Sequence, residues 1–171
     1  MSTPLSTIEP LIDSPHALMR RKKFRGAIPN GLLYDIRTDM WVCEEGDHIV
    51  IGATSLGLFN AGEITVFVAS PSGSEVAKGQ CLGRAICAKT ILVVPSPVSF
   101  CLLESNMEIE TIPGLLNSNP YGIGWIARGH AHNWAADRAE LVTAAYYRLH
   151  VLALEPDAEI LSLSTGQNWS T

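Results

Sequence analysis

Residues 81–95 read "CLGRAICAKTILVVP", and residues 96–105 continue "SPVSFCLLES". Two apolar, β-branched runs, "CLGRAICAK" and "TILVVP", meet at Lys89. Runs of this length and composition are strand-like. The reading is two strands joined at a lysine, with a further strand after the prolines. Lys89 is the sole charged residue between Arg84 and Glu104.

The same pattern extends outward. "MWVCEEGDHIVIGAT", residues 40–54, is two short strands around a turn at Glu45–Gly46–Asp47. Thr54 is placed to cap a short helix over "SLGLFNAG", closed by Gly62. "EITVFVASP" is another strand and "SPSGSEVAKGQ" is turn material. Short strands separated by turns every ~8–12 residues predict a β-sandwich or barrel. Residues 106–118 and 134–150 read as helical. In the second, Ala135, Ala139, Val142, Tyr146 and Leu149 predict one apolar stripe on one helix. Residues 1–26, with Pro4, Pro10 and Pro15, predict a poorly ordered tail in which the basic run at 20–23 is a solvated patch. The last twenty residues are expected to fray. The division expected is a tail (1–26), a β-rich domain (27–130) and a C-terminal helical extension (131–171).

The chain has 171 residues, 47% of them apolar, and a net charge of −5. That charge argues against a nucleic-acid partner, which needs a basic face. No run of about 18 apolar residues predicts a membrane span. The N-terminus lacks the apolar stretch of a secretory signal, so the expected compartment is the cytoplasm. Cys43, Cys81, Cys87 and Cys101 have no metal-type spacing and are expected to be free thiols. His130 and His132 form an H-x-H with no third ligand in view, so no metal is assigned. No Walker loop, dinucleotide fingerprint, nucleophile elbow or zincin motif is present. The chain is therefore expected to have no catalytic activity of its own.

Three roles are open to Lys89. It can be a solvated charge that protects a sheet edge. It can be a Schiff-base lysine, which requires burial. It can be the anchor of a covalently attached carrier arm, which suits an exposed, rigid tip.

Further motifs stand in register with this lysine. "YDIRTDMWV" at 34–42, "IVIGATSLGLFNAGEITVFV" at 49–68, Gly73, Gly79 and Gly83, "SPVS" at 96–99 and "NPYGIGW" at 119–125 together resemble the H protein of the glycine cleavage system. The resemblance implies a mainly β, lipoyl-domain-like fold (a barrel-sandwich hybrid): a two-sheet sandwich with short helices and a C-terminal helix. It implies lipoate bound covalently to Lys89, a lipoate-attachment enzyme as partner, and Gly73, Ile86 and Cys87 as neighbours of the anchor. Cys87 is either a thiol able to exchange with the arm or a small packing residue.

There are departures from the family pattern. Ile86 replaces the glutamate three residues before the lysine. Met40, Asn60 and Val93 stand where glycine-cleavage members hold a charged aminomethyl cargo with polar groups. "RGAIPNGLLYD", "VVPSPVS" and "NWAADRAELVT" resemble more closely the lipoate-binding proteins of the heterodisulfide-reductase-like sulfur-oxidation system. That branch implies sulfur intermediates as cargo and a redox or sulfur-transfer enzyme complex as partner. Phe100, where a turn glycine is usual, departs from both. Two alternatives are an H-like scaffold without an arm, acting as a binding or regulatory module through Ile86, Ile91 and Leu92, and a glycine-cleavage H protein carrying aminomethyl groups.

Overall fold

Alternating apolar residues build two antiparallel sheets around one interior. The computed structural model describes residues 22–88 and 90–163. Strands β2 (Leu33–Asp35), β3 (Met40–Glu45) and β4 (His48–Ala53) are followed by helix α1 (Ser55–Ala61). Then come β5 (Ile64–Ala69), β6 (Glu75–Val76), β7 (Cys81–Cys87), β8 (Thr90–Pro95) and β9 (Phe100–Ser105). Short helices α2 (Glu108–Thr111) and α3 (Leu115–Ser118) lead to β10 (Ala127–Ala131), α4 (Trp134–Glu140), β11 (Val142–Thr143) and α5 (Ala144–Leu154). The large sheet runs β11-β2-β3-β4-β10-β9-β6 and the small one β5-β7-β8. A parallel pair, β1 (Arg25–Ala27) with β12 (Glu159–Leu161), closes the chain on itself. The expected mainly β sandwich with short helices is the fold observed.

Between the sheets lie Val42, Ile51, Phe67, Leu82, Phe100 and Leu102. A second cluster, with Phe24, Tyr34, Trp41, Leu56 and Tyr147, covers the other face of the large sheet. This explains why β3 and β4 carry unbroken apolar stretches: both of their faces are buried over most of their length.

Local signals are met where one residue decides the geometry. Glu45 pairs with His48, leaving Gly46 and Asp47 as the connection, with Gly46 at φ 65°. Thr54 accepts from the Gly57 amide at 3.1 Å, and Gly62 at φ 88° ends α1. The "NPYG" turn fastens distant parts of the chain. Tyr121 Oη donates to the Ala27 carbonyl and accepts from the Ser55 amide. Trp41 Nε1 donates to the Pro120 carbonyl.

Three expectations are corrected. The tail does not extend to residue 26, because Phe24 is fully buried and β1 begins at Arg25. Residues 1–21, with Arg20 and Arg21 of the basic run, lie outside the described residues. The single helix over 134–150 is two helices. Leu141 is extended, Val142–Thr143 bridges to β2, and the Thr143 side chain caps α5 by accepting from the Tyr146 amide. The proposed stripe is therefore largely exposed. The buried face of α5 is Ala144, Tyr147 and Val151, and in α4 the buried residue is Asp137, which accepts from the Ser99 amide at 2.7 Å. Finally, the C-terminal residues do not simply fray: β12 pairs with β1, and residues 164–171 lie outside the described range. The C-terminal segment is thus joined to the β-domain through β11 and β12.

In the small sheet Cys87 pairs with Thr90, so positions 88 and 89 make a two-residue connection. Lys89 itself lies outside the described residues. Ala88 has φ 49°, a left-handed conformation that disfavours a Cβ and that such hairpin loops require. Ala88→Gly is expected to raise stability by up to about 1 kcal/mol, read as a higher urea midpoint at unchanged slope.

Candidate functional site

The hairpin end is flanked by exposed Ala88 and Thr90. Beside it runs a groove lined by Thr38, Asp39, Gly57, Asn60, Ala61, Cys87, Thr90 and Leu92. The groove continues into an apolar cleft between the sheets, walled by Met40, Leu58, Ile64, Phe67, Val94 and Leu116. Thr38, Asp39, Gly57, Ala61 and Leu92 line both.

Asp39 is the residue that sequence reasoning passed over. It adopts φ 54°, a conformation few non-glycine residues hold without support. The support is visible. Its amide donates to the Asp35 carbonyl at 3.0 Å and its carbonyl accepts from the Thr54 amide at 2.9 Å. Its carboxylate accepts from Tyr147 Oη at 2.8 Å. Tyr147 in turn stacks on Tyr34 (centroids 4.6 Å apart, planes 9° apart) and lies 2.9 Å from Thr54 Oγ1. Buried Asp35 braces the same turn by accepting from the Arg37 amide and Thr38 Oγ1. A half-buried carboxylate is thus held at the rim of an apolar cleft by a tyrosine from the C-terminal helix. The signal in the sequence was a lone acidic residue in "RTDMW", but the pairing with Tyr147 spans more than a hundred residues.

Burial pushes the Asp39 carboxyl above the usual aspartate value, and the Tyr147 hydrogen bond opposes this. An acid whose pKa is raised on folding holds its proton more tightly when folded. Its contribution to stability is therefore present below the unfolded value of 3.8 and is lost as pH rises through the higher folded value. Asp39→Asn keeps an acceptor for Tyr147 and removes the charge. Relative to the variant, the wild type is expected to lose stability as pH rises across that window, read from urea midpoints between about pH 4 and pH 7.

The other residues singled out in the sequence fall in different places. Cys87 is buried in the core and forms part of the groove wall. Ile86 is half-buried in a cross-strand row between Val66 and Ile91. Gly73 is not at the hairpin end. Its amide donates to the Leu102 carbonyl, beyond the far end of β5, where Ala69 pairs with Gly83. The expected exposed trio of Ile86, Ile91 and Leu92 is also revised. Strand alternation turns Leu92 to the cleft, and Val66 and Val68 join Ile91 on the outer face. Of the positions where the family carries polar groups, Met40 is a cleft wall, Asn60 lines the groove and Val93 is exposed at the cleft rim.

A family model described as glycine cleavage H-protein matches residues 32–152. The chain is 34% identical over 125 residues to glycine cleavage system H protein 2 of Aquifex aeolicus, covering 71% of this chain and 77% of that one. It is 37% identical over 120 residues to the glycine cleavage system H protein of Acinetobacter baumannii, covering 70% and 94%. Among solved structures, the glycine cleavage system H protein of Mycobacterium marinum superposes with a TM-score of 0.62 at 23% identity, covering 72% of this chain and 98% of that one.

Proposed function

Because the chain belongs to the glycine cleavage H-protein family, we propose that it is a lipoyl carrier whose arm is attached to Lys89 and rests in the cleft beside the β7–β8 hairpin. Members of this family carry covalently bound lipoate. The observation that carries the reading is the two-residue hairpin end opening directly onto a groove that deepens into an apolar cleft. The residues fit such a group. Leu92, Ala61 and Met40 offer an apolar bed for a hydrocarbon tether and a dithiolane, and Gly57 keeps the bed open, since a Cβ there would come 3.0 Å from Asp39.

Lipoate supplies two sulfur atoms that take up and release a cargo. This chain's residues bind, orient and shield it. Burial in the apolar cleft withdraws the arm from water. Asp39 and Thr38 are the polar groups at the rim shared by groove and cleft, where they can orient a cargo that carries hydrogen-bond donors. The relatives' names favour an aminomethyl cargo from glycine, and the Asp39 carboxylate offers its ammonium a partner. A second reading, sulfur species passed within a sulfur-oxidation complex, is favoured by the apolar Met40 and Val93. Against the expectation drawn from sequence, the comparisons support the glycine-cleavage reading better. In both, catalysis belongs to partner enzymes, and the attachment enzyme reads the face around Ile86 and Ile91. We place the carrier in the cytoplasm with these partners.

The test is the intact mass of the chain from its native host, with a peptide map over residues 85–95. A lipoyl-sized addition that disappears in Lys89→Arg is the expected result. Unmodified Lys89 under all growth conditions would overturn the carrier reading and favour the arm-less scaffold. Charging the purified carrier with glycine and the partner decarboxylase, against charging with a sulfur donor, separates the two cargoes.

A further inference from the structure

At the end of the large sheet where β3 turns into β4, a row of ligand-type side chains crosses neighbouring strands. Glu45 pairs with His48, His130 with Cys101, and Cys101 with Glu75. Directly paired residues in a sheet share a face. In the middle of this row the His48 and His130 rings stack, with centroids 4.3 Å apart and planes at 28°. Asp47, in the turn before β4, touches both. Its carboxylate lies 2.7 Å from His48 Nδ1, and its carbonyl lies 3.1 Å from His130 Nδ1. The Asp47 carbonyl on His130 Nδ1 orients that imidazole and leaves its Nε2 for a metal ion, while His48 Nδ1 and the Asp47 carboxylate already stand side by side as two donor atoms.

We propose that Asp47, His48 and His130 form a binding site for one divalent ion of the zinc or nickel type. One donor atom from each of the three side chains lies within 4.8 Å of the other two. Around a single ion at ~2.0–2.2 Å from its ligands, donor atoms stand up to about 4 Å apart. Small rotations of these partly exposed side chains close that gap. Two imidazoles and a carboxylate suit a borderline ion better than magnesium or calcium, which prefer oxygen alone. The surrounding charge permits a cation. Arg128, two residues before His130 on β10, is occupied: it pairs with Glu45 at 3.6 Å and Glu104 at 3.1 Å and lies over the Trp125 ring. A bound ion would clamp the β3–β4 turn to β10, which the H-x-H motif alone did not reveal because the partners come from residues 47 and 48.

The test uses the full, metal-stripped chain titrated with zinc, and with cobalt as a spectroscopic probe, while the imidazole resonances are followed by NMR. The expected result is one equivalent bound, with resonances of His48 and His130 shifted and His132 unmoved. His48→Gln and His130→Gln should each weaken binding at least ~10-fold, and His132→Gln should not. Lys89→Arg should bind as the wild type does, which separates this site from any ion held by a dithiol arm. Unchanged affinity in both His48→Gln and His130→Gln would overturn the proposal. So would cobalt bands of the thiolate type that vanish in Lys89→Arg.

Discussion

Gly129→Ala is expected to be more damaging than any other addition of one methyl group at a described glycine. A Cβ at Gly129 would stand 2.0 Å from the Cys101 carbonyl oxygen and 2.6 Å from the Phe100 ring. The cause is the irregularity in the β10–β9 ladder, where the register shifts between Arg128 and Gly129. Bulged strands bring one backbone close to its neighbour. Alanine has no rotamer with which to escape, and the obstacle is main chain in the middle of a seven-stranded sheet. Overpacking of this kind costs typically 1–3 kcal/mol and here should reach about 3 kcal/mol or more. Gly114→Ala is the matched control. Nothing lies within 4 Å of its added Cβ and its backbone is already α-helical, so it should be neutral or slightly stabilising. Urea midpoints of the two variants decide the matter. Equal midpoints would mean that the ladder relaxes around the methyl group.

Tyr147→Ala is expected to cost about 3–5 kcal/mol, the range for emptying a buried aromatic site. That is a large part of the ~5–15 kcal/mol by which a domain is stable. Tyr147 is fully buried against Tyr34 and reaches across to Asp39 and Thr54. Tyr147→Phe separates packing from polarity. It retains the stack and removes the hydroxyl, leaving the Asp39 carboxylate without that donor, and should cost about 1–3 kcal/mol. Asp39→Asn in each background completes a cycle. A large coupling between positions 39 and 147 is expected because the side chains touch. Additive effects would mean that the C-terminal helix does not govern the cleft rim.

The local elements were legible because local chemistry decides them. Thr54 caps α1 whatever lies beyond it, Gly46 accepts a left-handed turn, and β-branched runs such as "TILVVP" have few alternatives to strand. The family motifs were legible for a related reason: Gly52 is needed to pass the Trp41 ring, and the "NPYG" turn to receive Trp41 Nε1 and to tie Tyr121 to Ala27 and Ser55. The break at Leu141 was not legible. An apolar periodicity reads as one helix until a neighbouring strand offers Val142 and Thr143 a better set of hydrogen bonds. Phe24 was lost in a polar tail because burial depends on a cluster assembled from distant residues.

The sequence by itself determined a β-rich chain with a lone lysine between two strands, and the family that carries this pattern. The tertiary structure alone decided what surrounds that lysine's hairpin and what meets beside the β3–β4 turn. It put the Asp39 carboxylate under Tyr147 at a cleft rim, turned Leu92 inward and Ile91 outward, and stacked His48 on His130. The physical reason is the same in each case. Sequence encodes the conformational preference of neighbours along the chain, whereas sites are made by side chains that meet only after loops of many tens of residues have closed.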